Sequence, residues 1–74
     1  MHYKKVYSII FYLDDGSTST WVCDKKPEIP SSPEGETIFY NHHKKYLLNN
    51  DVSYSIFREA GNSFHEIYNH KKEV

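Results

Sequence analysis

The sequence predicts a small α+β domain: an antiparallel sheet of about four strands in the order β-β-α-β-β, with one helix packed on one face. Three observations carry this. Asp15-Gly16 separates two β-prone runs, residues 33–48 have a marked helix start and stop, and residues 52–70 alternate again around a Gly-centred turn. The chain of 74 residues is read as a single domain over 1–74, with a hairpin at 3–23, a Pro-rich linker at 24–32, a helix at 33–48 and a second β region at 52–70. A chain of this size buries a modest core.

In the first hairpin, Val6 to Leu13 and Thr18 to Val22 flank the break at Asp14-Asp15-Gly16-Ser17. Asp-Gly suits the two central positions of a type I′ turn, where both residues need positive φ. That turn sets Asp14 opposite Ser17, Phe11 opposite Thr20 and Ile9 opposite Val22. On the other face it sets Tyr12 opposite Ser19 and Ile10 opposite Trp21. Strand alternation then turns Tyr7, Ile9, Phe11, Leu13 and Val22 inward and leaves Ile10, Tyr12 and Trp21 on the reverse face. These rings read either as a cross-strand cluster that stabilises the sheet or as a contact surface.

Pro27, Pro30 and Pro33 exclude regular structure from the following stretch and make it an extended connection. Ser32 can then cap a helix, with Pro33 at its first position and Glu34 and Glu36 in its first turns. Ile38, Phe39, His42 or His43, Tyr46 and Leu47 recur at helical spacing, and Asn49-Asn50 offers a stop. Gly35 weakens the first turn, and a short strand at the β-prone run Thr37-Ile38-Phe39-Tyr40 is the rival reading; the helix is preferred. Beyond Asp51, Val52-Ser53-Tyr54-Ser55-Ile56-Phe57 alternates, and Phe64 to Tyr68 can return as its partner. Ser63 with Glu66 makes a rival capping box for a helix. The echo of Tyr7-Ser8-Ile9-Ile10-Phe11 in Tyr54-Ser55-Ile56-Phe57 favours the hairpin.

No chemistry-bearing constellation stands out. The five histidines, His2, His42, His43, His65 and His70, lack the paired spacing of a zinc site, and one cysteine cannot complete a ligand set. Cys23 lies beside Asp24, which works against a reactive thiolate. With glycines only at 16, 35 and 61, no phosphate-cradling loop exists. The expectation is no enzyme, no catalytic residues, no metal and no cofactor. A lone cysteine and the lack of a long apolar run point to a soluble, cytoplasmic protein away from membranes.

Nine basic residues meet ten acidic ones, which argues against a strongly electrostatic nucleic-acid binder. The eight lysines nevertheless fall in doublets, and the proposed register brings Lys4, Lys5, Lys25 and Lys26 together as a basic patch opposite the acidic tip Asp14-Asp15. The expected function is a non-enzymatic protein-binding module, an inhibitor or adaptor, acting through Ile10, Tyr12, Trp21 and Tyr3 or through a sheet edge. Its partner is another protein, with self-association through the same face as a variant. The alternative is weak single-stranded nucleic-acid binding by the lysines and aromatics. In size and expected architecture alone the chain resembles the compact α+β inhibitors and adaptors of phages and mobile elements, a likeness of shape that does not assign function.

Overall fold

A computed structural model describes residues 5–32, 34–49 and 51–72. Among the described residues there are six strands and no helix: β1 (Val6–Tyr12), β2 (Thr18–Cys23), β3 (Thr37–Asn41), β4 (Lys44–Leu48), β5 (Ser53–Ala60) and β6 (Ser63–His70). They form an antiparallel four-stranded sheet, β2-β1-β5-β6, and a two-stranded sheet, β3-β4. Their facing sides meet in one core of Ile9, Cys23, Phe39, Leu48, Tyr54 and Ile56. Among the described residues, no helix is long and apolar enough to cross a membrane.

The expected α+β class is therefore corrected: the cover over the sheet is a hairpin, not a helix at 33–48. Thr37 pairs with Leu48, Phe39 with Tyr46 and Asn41 with Lys44. This leaves His42-His43 as a two-residue turn with both φ values positive, 51° and 66°, the pattern of a type I′ turn. Two histidines in the left-handed region are uncommon and cost backbone energy. An outside group supplies the compensation. The Asp24 carboxylate accepts the His42 N–H at 3.2 Å and the His43 N–H at 2.7 Å. Strand alternation then sends Thr37 and Phe39 inward to full burial, which the helical stripe had not separated from Ile38.

The first hairpin forms, but one residue out of the expected register. The Gly16 N–H donates to the Leu13 carbonyl, and the Leu13 N–H to the Ser17 carbonyl. Gly16 alone carries a positive φ here, 89°. The connection thus has three residues, a turn closed by a left-handed glycine. Asp15 avoids positive φ and instead accepts hydrogen bonds from the Ser17 N–H and hydroxyl, an Asx turn. The pairs become Ile9 with Trp21, Phe11 with Ser19 and Ile10 with Thr20. A one-residue slip exchanges the faces of a strand, so Trp21 joins Ile9 and Phe11 on the covered side while Val22 turns outward.

The Pro-rich stretch after β2 is tied down at intervals. The Asp24 N–H donates to the Tyr40 carbonyl, and Glu28 and Ile38 exchange two backbone hydrogen bonds. Pro27 is buried. Between β5 and β6, Ala60 pairs with Ser63 around Gly61-Asn62, and a bulge near Ile56/Phe57 shifts the remaining pairs. The Ser63–Glu66 capping box is not used: Ser63 opens a strand, and Glu66 accepts a hydrogen bond from Ser55 at 2.9 Å.

Strand order also decides the charges. Because β1 lies antiparallel to β5, Tyr12 sits beside Ser53 and Val6 beside Glu59. The tip of the first hairpin therefore meets the open end of the second, and Lys72 pairs with Asp14. The acidic tip is partly neutralised, a correction to the expected two-pole arrangement.

Candidate functional site

The side of the four-stranded sheet that faces β3-β4 is not sealed along its whole length. Near the tip half of β1-β2, an open groove of about 440 Å³ is lined by Phe11, Leu13, Trp21, Phe39, Tyr46, Leu47 and their neighbours. Its floor is a set of interlocked rings. Trp21 meets Phe11, Phe39 and Tyr46 edge-on at centroid distances of 5.7, 6.0 and 5.2 Å, and Phe39 stacks on Tyr46 at 5.1 Å. Such edge-to-face and offset contacts are the favoured geometries between rings. Leu13 and Leu47 on the rim remain 49% and 55% exposed.

One wall of the groove is the edge strand β2. Antiparallel partners alternate between hydrogen-bonded and non-bonded pairs. Leu13/Ser17 is bonded, so Phe11/Ser19 and Ile9/Trp21 are too, and Thr18, Thr20 and Val22 aim their backbone groups away from β1. The Val22 carbonyl is already taken by Asn41 Nδ2 at 2.7 Å. Thr18 and Thr20 face no other strand among the described residues. The result is a short stretch of open backbone beside an apolar depression.

Beyond Trp21 the surface becomes polar. Thr20, Trp21, Val22, Asp24, Asn41 and His42 line an adjoining cleft, and Asp24 connects it to a shallower one with Lys25, Tyr40 and His43. Lys25 Nζ stands 4.4 Å from the centre of the Tyr40 ring, a cation–π contact. Lys44 falls on the same side of β4 as Tyr46 and Leu48, at this end of the groove.

The residues singled out from sequence are dispersed. Trp21 is half-buried in the groove, whereas Ile10 and Tyr12 lie on the opposite, outer face; the register slip separates them. Tyr12 is 41% exposed and donates through its hydroxyl to Ser55 Oγ at 2.9 Å. Ser55 also accepts from Asn69 at 2.8 Å. On that outer face Phe57 and Phe64 stack at 4.7 Å. Lys5, Lys25 and Lys26 are exposed around the open end of the first hairpin. Tyr3 and Lys4 lie outside the described residues. Phe11, Phe39, Tyr46 and Leu47 were not singled out as site residues. The alternation of 37–40 and 45–48 was the available signal, hidden by a turn without glycine.

Two groups are tuned by burial. Desolvation, with Asp24 adding to it, pushes the Cys23 thiol up to about 11 from 9.0. Burial also raises Tyr54 above its ordinary 10.0, against the opposing hydrogen bond with Thr37. Both folded values exceed the unfolded ones: the Cys23 contribution to stability is complete below pH 9 and is lost as pH climbs through about 11, and that of Tyr54 is lost at a pH above its ordinary 10.0. Cys23 should therefore resist iodoacetamide at pH 8 in the native protein and react promptly in urea, as mass spectrometry would show. Rapid labelling of the folded chain would contradict its placement in the core. Among the described residues no group of three or more His, Cys, Asp or Glu side chains is placed to hold a metal.

No protein-family model matches this chain, and no curated protein or solved structure matches it either.

Proposed function

We propose that this protein is a non-enzymatic binding module that takes an extended segment of another protein against the β2 edge. Alternate side chains of that segment enter the aromatic groove. The carrying observation is the juxtaposition of outward backbone groups at Thr18 and Thr20 with the open groove floored by Trp21, Phe39 and Tyr46. Strand addition draws affinity from backbone hydrogen bonds and selectivity from pockets for every second side chain. Well-packed aromatic floors are where binding energy concentrates. An adaptor or inhibitor role fits such a surface, and a lone buried thiol fits a reducing, cytoplasmic setting.

Panning a displayed library of random peptides, roughly a dozen residues each, against the full chain tests this reading. Enriched peptides should alternate apolar residues and shift Trp21 fluorescence on titration. Leu47→Glu, at an exposed rim position, should weaken them about tenfold or more while leaving the fold intact. Peptides that bind without touching Trp21 or responding to Leu47→Glu would move the site elsewhere, and failure to enrich any peptide would remove the reading.

A further inference from the structure

The groove has two chemically different ends. At one end Leu13, Leu47 and Val52 lie near the Lys72–Asp14 pair, whose charges offset each other. At the other end stand His42 and Lys44, on the groove side of the histidine turn. Lys45 and the Tyr40 ring that carries Lys25 lie on the reverse side of the same turn, and Lys26 follows Lys25 in sequence. The acids of these same segments are Asp24 and Glu28. Asp24 spends its carboxylate on the two N–H groups of the histidine turn. Four lysines (25, 26, 44 and 45) against two acids leave a net charge of +2 at this end before either imidazole is counted, in a chain whose total is −1. Exposed charge of one sign beside an apolar cleft steers and orients a partner of the opposite sign.

We infer that the segment bound in the groove is acidic at one end. Its apolar residues sit over Trp21 and Tyr46, and its carboxylates lie over Lys44 and the histidine turn. This rests on the binding mode proposed above and adds the chemistry of the partner. A single-stranded nucleic acid would also bring negative charge, but it would need ring faces free for stacking. Here Trp21, Phe39 and Tyr46 pack against one another, while Leu13, Leu47, Leu48 and Val52 complete a lining suited to aliphatic side chains. Backbone at a strand edge likewise pairs with a polypeptide.

The enriched peptides supply the test. One flank of the apolar stretch should carry Asp or Glu at about three times the frequency in the starting library, and a representative acidic peptide should bind about tenfold tighter at low salt than at about 0.5 M salt. Lys44→Ser combined with Lys25→Ser should remove most of that salt dependence and leave a serine-flanked version of the peptide binding as before. Apolar peptides enriched without acidic flanks overturn the charge assignment and leave the groove reading standing. Failure to enrich any peptide removes both. A thymidine oligonucleotide that binds at low salt and competes with the peptides at Trp21 also overturns the assignment, in favour of nucleic acid.

Discussion

Phe39→Ala is expected to strip the protein of most of its stability, leaving it at the edge of unfolding at room temperature. Phe39 is 1% exposed and touches Phe11, Trp21 and Tyr46, so truncation removes a ring from the junction of the two sheets. Such changes cost about 3–5 kcal/mol, and a domain of this length holds only roughly 5 kcal/mol in total. Near-UV circular dichroism and urea titration would show the loss directly. Leu47→Ala, on the exposed side of the neighbouring strand, should move stability by about 0.5 kcal/mol or less. Ile38→Ala should cost clearly less than Phe39→Ala, because alternate residues of a strand face opposite ways. A helix over these residues would place Ile38 and Phe39 on one stripe and penalise both. Equal costs would therefore speak against the β3-β4 hairpin.

Asp24→Ala is expected to destabilise by about 1–2 kcal/mol, more than an ordinary exposed acid would. Its carboxylate is the acceptor that holds His42 and His43 in positive φ. The companion variant His42→Asn/His43→Gly installs residues that adopt this turn without strain and should gain about 1 kcal/mol. In that background the cost of Asp24→Ala should shrink to a few tenths of a kcal/mol, since the turn then stands by itself. Thermal melts of the four proteins close a double-mutant cycle. An unchanged cost in both backgrounds would mean that Asp24 stabilises something other than the turn.

The strained turn also explains why the local sequence of the middle of the chain points to a helix. Two β-prone runs, Thr37-Ile38-Phe39-Tyr40 and Tyr46-Leu47-Leu48, surround residues that carry no local turn signal. Without glycine or Asn-Gly, nothing within residues 40–45 announces a reversal, and Ser32-Pro33-Glu34 supplies a plausible helix start. The group that decides the matter, Asp24, is 18 residues away from His42 and is held beside the turn by the bond from the Asp24 N–H to the Tyr40 carbonyl. The face of Trp21 turns on a finer difference. Asp14-Asp15-Gly16 permits connections of two or three residues, and Asp15's bonds to Ser17 select the longer one. That single residue moves Trp21 from the outer face into the groove.

What the chain determines locally is its β character, the positions of its glycine-marked turns and the inward set Tyr7, Ile9 and Phe11 on β1, because alternation and turn chemistry act over a few residues. Sequence alone also sets the lone thiol and the near-neutral charge. The tertiary structure decides the rest: a hairpin in place of a helix, the face of Trp21, the neutralised tip at Asp14, and the groove. Each of these depends on contacts between segments far apart in the chain, and their energies exist only after the two sheets have met.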